Sequence, residues 1–277
     1  MKKIKLILLA LSVLLIVVCL SGCTSSKKAD GIEYKIENGT ATIVGYTDTT
    51  TRTEIIIPDE FEGVPVTEIA DFGLFNAESV EKIVIGKNVQ KIGGWSMTNE
   101  QKLKAFEVDS ENQYFTAVDG VLFSKDMKTL IYYPPAKGIE FNNLGEAKNT
   151  VQYTIPDGVE TIRTKAFYKC YYVDTIDIPS SVKNIEEKAF HRCNALKQVK
   201  IPDSVVTIGK DAFAYCGLLT EVTIPSSVES IGEYAFFNCP KVQKVEVLKS
   251  EDQIELGEKW YPTDNGREIK DLKIIWK

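Results

Sequence analysis

Apolar residues recur along most of this chain in steps of three, closed by one step of two. The stretch from Ile201 shows the pattern: Ile201-Pro202, Val205, Ile208, Ala212-Phe213, Cys216, Leu219, Val222, then Ile224-Pro225, where it begins again. Segments starting at Ile155, Ile178 and Ile224 align with it without gaps, and each is 23 residues long. Steps of three sustain neither a long amphipathic helix nor an alternating strand. They describe a chain that turns inward every third residue and coils about its own apolar axis. The step of two is one short strand, ended by the proline that follows. Ala-Phe within polar flanks, as in Gly232-Glu233-Tyr234-Ala235-Phe236-Phe237, reads as a short helical turn. One coil cannot bury its apolar face alone, whereas stacked coils can. Each rung then adds a strand to a parallel sheet at a spacing of about 4.8 Å.

Looser copies lie upstream. Residues 85–107 keep Val89, Ile92, Leu103 and Phe106 in register, but Glu100 stands where the cysteine belongs and predicts a looser rung. Residues 57–84 carry five extra residues around Phe61 to Pro65, and 108–154 is one residue longer than two periods and holds an insertion.

The repeated Ala-Phe-x-x-Cys-x-x-Leu-x-x-Val-x-Ile-Pro-x-x-Val-x-x-Ile resembles the BspA-like leucine-rich repeat family. The insertion is similar to that family's characteristic insert: Tyr114-Phe115, Val118-Asp119-Gly120-Val121-Leu122-Phe123, then Leu130-Ile131-Tyr132-Tyr133. Asp119-Gly120 and Lys125-Asp126 supply turns, so it is read as a β-hairpin. The opening Asn38-Gly39-Thr40-Ala41-Thr42-Ile43 also resembles the family's N-terminal hairpin. The resemblance covers about residues 32 to 247. It implies a leucine-rich-repeat solenoid of stacked 23-residue rungs, with short parallel strands, short helical turns and a β-hairpin insert. It also implies a surface or secreted protein, since members are mostly of that kind and some are linked to adhesion.

The first residues read as an export signal. Lys2, Lys3 and Lys5 precede an apolar run from Leu6 to Leu20, interrupted only by Ser12. That run is short of the roughly 20 residues a membrane span needs and suits a signal peptide. Leu20-Ser21-Gly22-Cys23 resembles the lipobox of bacterial lipoproteins, which implies lipidation of Cys23 and cleavage just before it. The organisation expected is a signal peptide over 1–22 and a lipidated cysteine with a flexible tether over 23–31. A hairpin cap follows over 32–56, then repeats over 57–246 with the insert in 108–154. A C-terminal cap over 247–277 ends in a strand over 272–276.

Composition excludes some functions. With 44% hydrophobic and 26% charged residues among 277, the chain is neither disordered nor collagen-like. Its net charge of −6, without a basic block, disfavours nucleic acid as a partner. There is no phosphate-binding loop and no Gly-x-Gly-x-x-Gly.

Cys170, Cys193, Cys216 and Cys239 fall at one point of successive rungs, so they form a row along the axis rather than a tetrahedral metal site. A buried ladder is expected, with disulfides between neighbours as the alternative. His191, the single histidine, aligns with Tyr168, Ala214 and Phe237 and is expected at the surface. Asp264-Asn265-Gly266 and the acidic stretch 109–112 are read as turns rather than calcium loops. The outward strand positions Glu107, Asp177, Lys200, Thr223 and Glu246 mix charges and carry no ligand signature.

Aromatic residues are the better lead. Tyr168, Tyr171 and Tyr172 cluster on one rung, Phe237 lies on another, and the insert adds Tyr132 and Tyr133. Such rings bring large contact area at low entropic cost. The expectation is a lipid-anchored extracellular binding or adhesion protein on the bacterial cell membrane, held through its N-terminal lipid. It would take a protein or glycan ligand, with no catalysis, cofactor or metal. The alternative is an envelope scaffold that organises neighbouring proteins.

Overall fold

A computed structural model of the protein describes residues 26–48, 52–75, 77–97 and 99–277; the expected signal peptide and the expected lipidation site Cys23 lie outside them. The chain winds into a β-solenoid of about 9 turns with roughly 23-residue spacing. Each regular rung contributes to three hydrogen-bonded rows. The step of two gives one row of parallel strands: Val151–Thr154, Val173–Asp177 and Gln198–Val199, then Glu221–Ile224, Lys244–Val247 and Lys273–Trp276. A bridge between Lys200 and Thr223 joins the two sets.

A second row was only an inward step in the sequence pattern. The two-residue strands Thr161–Ile162, Asn184–Ile185, Thr207–Ile208 and Ser230–Ile231 pair in parallel, each one period from the next.

The third row corrects the expectation of helical turns. Over the described residues, the only helix is the single 3-10 turn Glu251–Gln253. The Ala-Phe segments are successive tight turns whose backbone is thrown into the left-handed region at Lys165 and Lys169, and again at Lys188 and Arg192 one period on. That reversal interrupts helical bonding and aims alternate N–H groups along the solenoid axis. Phe167 N–H donates to Ala189 O at 2.7 Å, Phe190 to Ala212 O at 2.7 Å and Phe213 to Ala235 O at 2.7 Å. The regular rungs from 155 onward are thus tied to one another on all sides, which satisfies backbone groups that a buried turn would otherwise strand.

The interior is built from repeats of identical side chains. Phe167, Phe190, Phe213 and Phe236 stack ring on ring at 4.9–5.2 Å, fully buried. Replacing one such ring by Ala removes roughly 3–5 kcal/mol.

The insert has a special place in this stack. Phe115–Val118, Val121–Ser124 and Thr129–Tyr132 form an antiparallel meander, whose last strand joins Thr161–Ile162 in parallel. Its first turn, Asp119-Gly120, has φ of 48° and 74°, the double positive φ of a type I′ hairpin. The meander divides the interior in two. Leu122, Ile131 and Tyr132 pack into the N-terminal core, while Val121, Phe123, Leu130 and Tyr133 pack into the C-terminal one. A strand buried on both faces reads as a continuous apolar run, as Leu130-Ile131-Tyr132-Tyr133 does.

Tyr132 and Tyr133, expected on the surface, are therefore core residues. Tyr132 meets Phe106 edge-on at 5.7 Å, and Tyr133 stacks on Phe167 at 5.0 Å in the place of a missing rung's phenylalanine. Tyr133 N–H donates to Ala166 O, continuing the turn row where the insert has no turn of its own.

The ends are closed by hairpins. Ile32–Glu37 and Thr40–Tyr46 pair antiparallel at the N-terminal end. Lys27–Ala29 adds a strand outside them, within the segment expected to be a flexible tether. At the other end Trp260 covers the last phenylalanine's rung, its carbonyl accepting Phe236 N–H, and Trp276 packs against it at 6.0 Å. Asn265-Gly266, with φ of 46° and 75°, turns the small hairpin of Thr263–Asp264 and Arg267–Glu268, as its reading as a turn required.

Candidate functional site

The four repeat cysteines are buried and free of disulfides. Each thiol donates to a carbonyl one rung back: Cys193 to Phe167 O at 3.2 Å, Cys216 to Phe190 O at 3.3 Å and Cys239 to Phe213 O at 3.2 Å. Burial pushes the thiols of Cys170, Cys193 and Cys216 well up, so none is a thiolate at neutral pH. They are structural bonds between rungs and offer no nucleophile. Among the described residues no group of three or more His, Cys, Asp or Glu side chains could hold a metal ion.

His191 is buried, not exposed as its alignment suggested. Side chains at this point of the turn stack from rung to rung, so a position open in one isolated coil is covered in the array. Its ring lies on Tyr168 at 5.3 Å and meets Tyr215 at 5.1 Å. Burial, with Arg192 and Lys188 beside it, lowers its pKa to about 4, and Nδ1 has no partner. Phe237 continues the same row between Tyr215 and Tyr234. Tyr168 and Phe237 are half-buried parts of an aromatic row that braces the turns.

Tyr171 and Tyr172 behave differently. They follow the left-handed Lys169 and lead into the strand Val173–Asp177, whose pairing slips by one residue after Val151 opposite Val173. A bulge of this kind bends the strand and re-aims nearby side chains. The two rings face a groove of about 820 Å³. Its other walls are the corner at Gln101, Lys102 and Lys104, and the segment from Ile139 to Lys148. Phe141 meets Tyr172 edge-on at 6.0 Å, and Tyr171 meets Tyr172 at 6.3 Å, nearly perpendicular.

The wall over 139–149 is a second, smaller hairpin that the sequence pattern did not reveal. Phe141 and Ala147 form an antiparallel bridge. Asn142 Oδ1 accepts the N–H groups of Leu144 and Glu146, both at 2.9 Å, while Asn142 Nδ2 donates to Glu146 Oε2. Asn149 closes the base, accepting Glu140 N–H and donating to Gly138 O. These bonds fix the tip and leave Leu144 83% exposed there. The polar run Asn142-Asn143-Leu144-Gly145 was the available signal, a turn cluster inside a segment read only as insertion.

The groove's charges are partly spent. Lys104 pairs with Glu81 at 2.8 Å. Among the described residues, Lys102 and Lys148 carry no ion pair, and the side chains of Gln101, Asn143 and Glu140 have no partner. Of the six aromatic residues singled out from sequence, the structure brings Tyr171 and Tyr172 together here, leaves Tyr168 and Phe237 in the turn row, and buries Tyr132 and Tyr133.

Comparison with known proteins agrees with this architecture. Solved structures of similar fold include the pneumococcal vaccine antigen PcpA, 19% identical, covering 92% of this chain and 88% of that one at a TM-score of 0.54. A leucine-rich cell surface protein from Faecalibacterium prausnitzii is 17% identical over 93% of this chain and 96% of that one, with a TM-score of 0.55. A leucine-rich repeat protein from Eubacterium ventriosum is 18% identical over 90% and 96%, with a TM-score of 0.50. No curated protein matches the chain. The profile of the BspA type leucine-rich repeat region matches in 6 copies over residues 35–131 and 138–257, on either side of the short stretch that enters the second hairpin. Most of the rungs thus carry the profile as well as the fold, and the chain belongs to the BspA type leucine-rich repeat family.

Proposed function

We propose that this protein is a binding protein of the bacterial surface, anchored by a lipid on Cys23, which captures a macromolecular ligand in the groove beside Tyr171 and Tyr172 without catalysis. The observation that carries the reading is the hairpin 139–149, fixed by Asn142 and Asn149 so that it walls a groove with the Phe141 ring edge-on to Tyr172. Ordering a loop costs conformational entropy, and a pre-ordered rim meets that cost before the ligand arrives. The surface location is supported by the export signal, by Leu20-Ser21-Gly22-Cys23, and by a relative of like fold described as a cell surface protein.

Two measurements test it. Cells carrying Tyr171→Ala or Tyr172→Ala should lose adhesion to their best ligand by at least about fivefold, which is 1 kcal/mol, with melting temperatures little changed. Unchanged adhesion for both variants would remove the groove from function. Cys23→Ala should leave the protein unprocessed or released; a variant processed at the same site and retained in the membrane fraction would refute the anchor.

A further inference from the structure

Given that the groove is a binding site, its chemistry narrows the ligand, and we infer that it takes a segment of acidic polysaccharide, a chain of pyranose rings bearing carboxylate or sulfate groups. The backbone of the walls is already committed. Lys104 N–H donates to Glu81 O, Lys148 N–H to Glu140 O and Val151 N–H to Tyr172 O. These groups are not available to an extended peptide that binds by adding a strand. Recognition is left to side chains, and the uncommitted ones form a distinct set.

Tyr171 and Tyr172 stand nearly perpendicular, so the groove offers ring faces in two directions. Such faces suit the C–H side of a sugar ring. The amides of Gln101 and Asn143 are unpartnered and supply both donors and acceptors for hydroxyl groups. The ammonium groups of Lys102 and Lys148 come from opposite walls and are unpaired among the described residues, against one carboxylate without a partner there, at Glu140. This leaves the free groups of the groove with an excess of positive charge on a chain whose net charge is −6. An anionic ligand is repelled by most of the molecule and accepted at this spot, which favours register as well as affinity. A groove of about 820 Å³ open to solvent admits a polymer running through it rather than a single enclosed monomer.

The test uses detergent-solubilised full-length protein and immobilised polygalacturonate, hyaluronate and chondroitin sulfate. Fully methyl-esterified polygalacturonate serves as the uncharged match of the first. At least one acidic polymer should be captured, with binding that weakens as salt rises. The esterified chain should bind at least about tenfold more weakly than its acid, a difference of 1.4 kcal/mol. Lys102→Ala with Lys148→Ala should weaken capture of the acidic chain about tenfold and flatten the salt dependence. Tyr172→Ala should weaken the acidic and esterified chains by the same factor, and Lys241→Ala, remote from the groove, should change nothing.

Equal capture of acid and ester, an unaffected lysine pair, or no capture of any acidic polymer overturns the inference. Polyglutamate captured in their place, and lost with Tyr172→Ala, would make the ligand an acidic protein segment and leave the binding reading intact. A Tyr171→Ala, Tyr172→Ala double variant that still captures every partner of the parent would sink both.

Discussion

Glu100 shows how one residue can break a repeat without loosening it. It occupies the cysteine position of its rung and is fully buried, yet Val89 and Leu103 around it are as closed to solvent as their counterparts elsewhere. The expected slack is absent; the cost appears instead as a carboxyl group without adequate partners. Oε2 accepts Asn99 N–H at 2.9 Å, and among the described residues Oε1 accepts nothing. Burial raises its pKa to about 8, so the carboxyl is protonated in the native state at neutral pH. Since the native value lies above the unfolded one of 4.5, the native state holds a proton that the unfolded chain has lost. Stability attributable to this group is whole below about pH 4.5, falls as pH rises, and is fully lost above about 8. Glu100→Gln cannot titrate, so its advantage in melting temperature over the parent should grow between pH 5 and pH 8.5. A constant difference across that range would show that Glu100 does not titrate as its burial requires. Lys165 works in the opposite sense. Buried against Trp95, its pKa falls to about 7, so its cost is greatest below pH 7 and is relieved as pH rises toward 10.5.

At the scale of elements, the strand row and the ladder of phenylalanines and cysteines were legible, because each rests on a period that identical residues repeat. Ile201-Pro202 and Val222-Thr223-Ile224 mark their strand as clearly in the chain as in space. The turn row was misread because Ala-Phe flanked by polar residues is compatible with a helical turn. Only the neighbouring rung, by accepting N–H groups along the axis, selects the left-handed Lys165 and Lys169. The tyrosines fared as their contexts dictate. Tyr171 and Tyr172 lie at a rung corner and stay accessible, whereas Tyr132 ends a strand with a core on each side and Tyr133 follows it directly, a setting that one sequence cannot reveal. The hairpin 139–149 has no period to betray it. Its order rests heavily on Asn142, and Asn142→Ala should free the tip. Hydrogen exchange at Leu144 and Glu146 should rise by about tenfold or more, as loss of net hydrogen-bond stabilisation of about 1–2 kcal/mol requires. Protection there equal to the parent's would mean that the bridge at Phe141 and Ala147 alone holds the loop.

The whole molecule is a stack with a partition. Solenoid stability is approximately a sum of rung terms and nearest-neighbour terms, so damage stays local. Phe213 touches Phe190 on one side and Phe236 on the other. Phe213→Ala, at a cost of roughly 3–5 kcal/mol, should uncouple the rungs beyond it while the N-terminal core from Ile32 to Phe106 stays folded. Limited proteolysis of the variant should release a protected N-terminal fragment that ends near or beyond the meander. Cooperative loss of both halves at one temperature would mean that the meander couples the cores rather than separating them.

That partition also sets how the protein would bear mechanical load. On the proposed function, a pull between the anchor at Cys23 and a ligand at Tyr172 would pass through the N-terminal hairpin, the early rungs and the strand Thr129–Tyr132, which is clamped on both faces. The rungs beyond Cys193 hang outside that line of force. They could open and reclose under shear flow like slack coils of a spring, while the tensioned half, and the grip on the ligand, stayed in place.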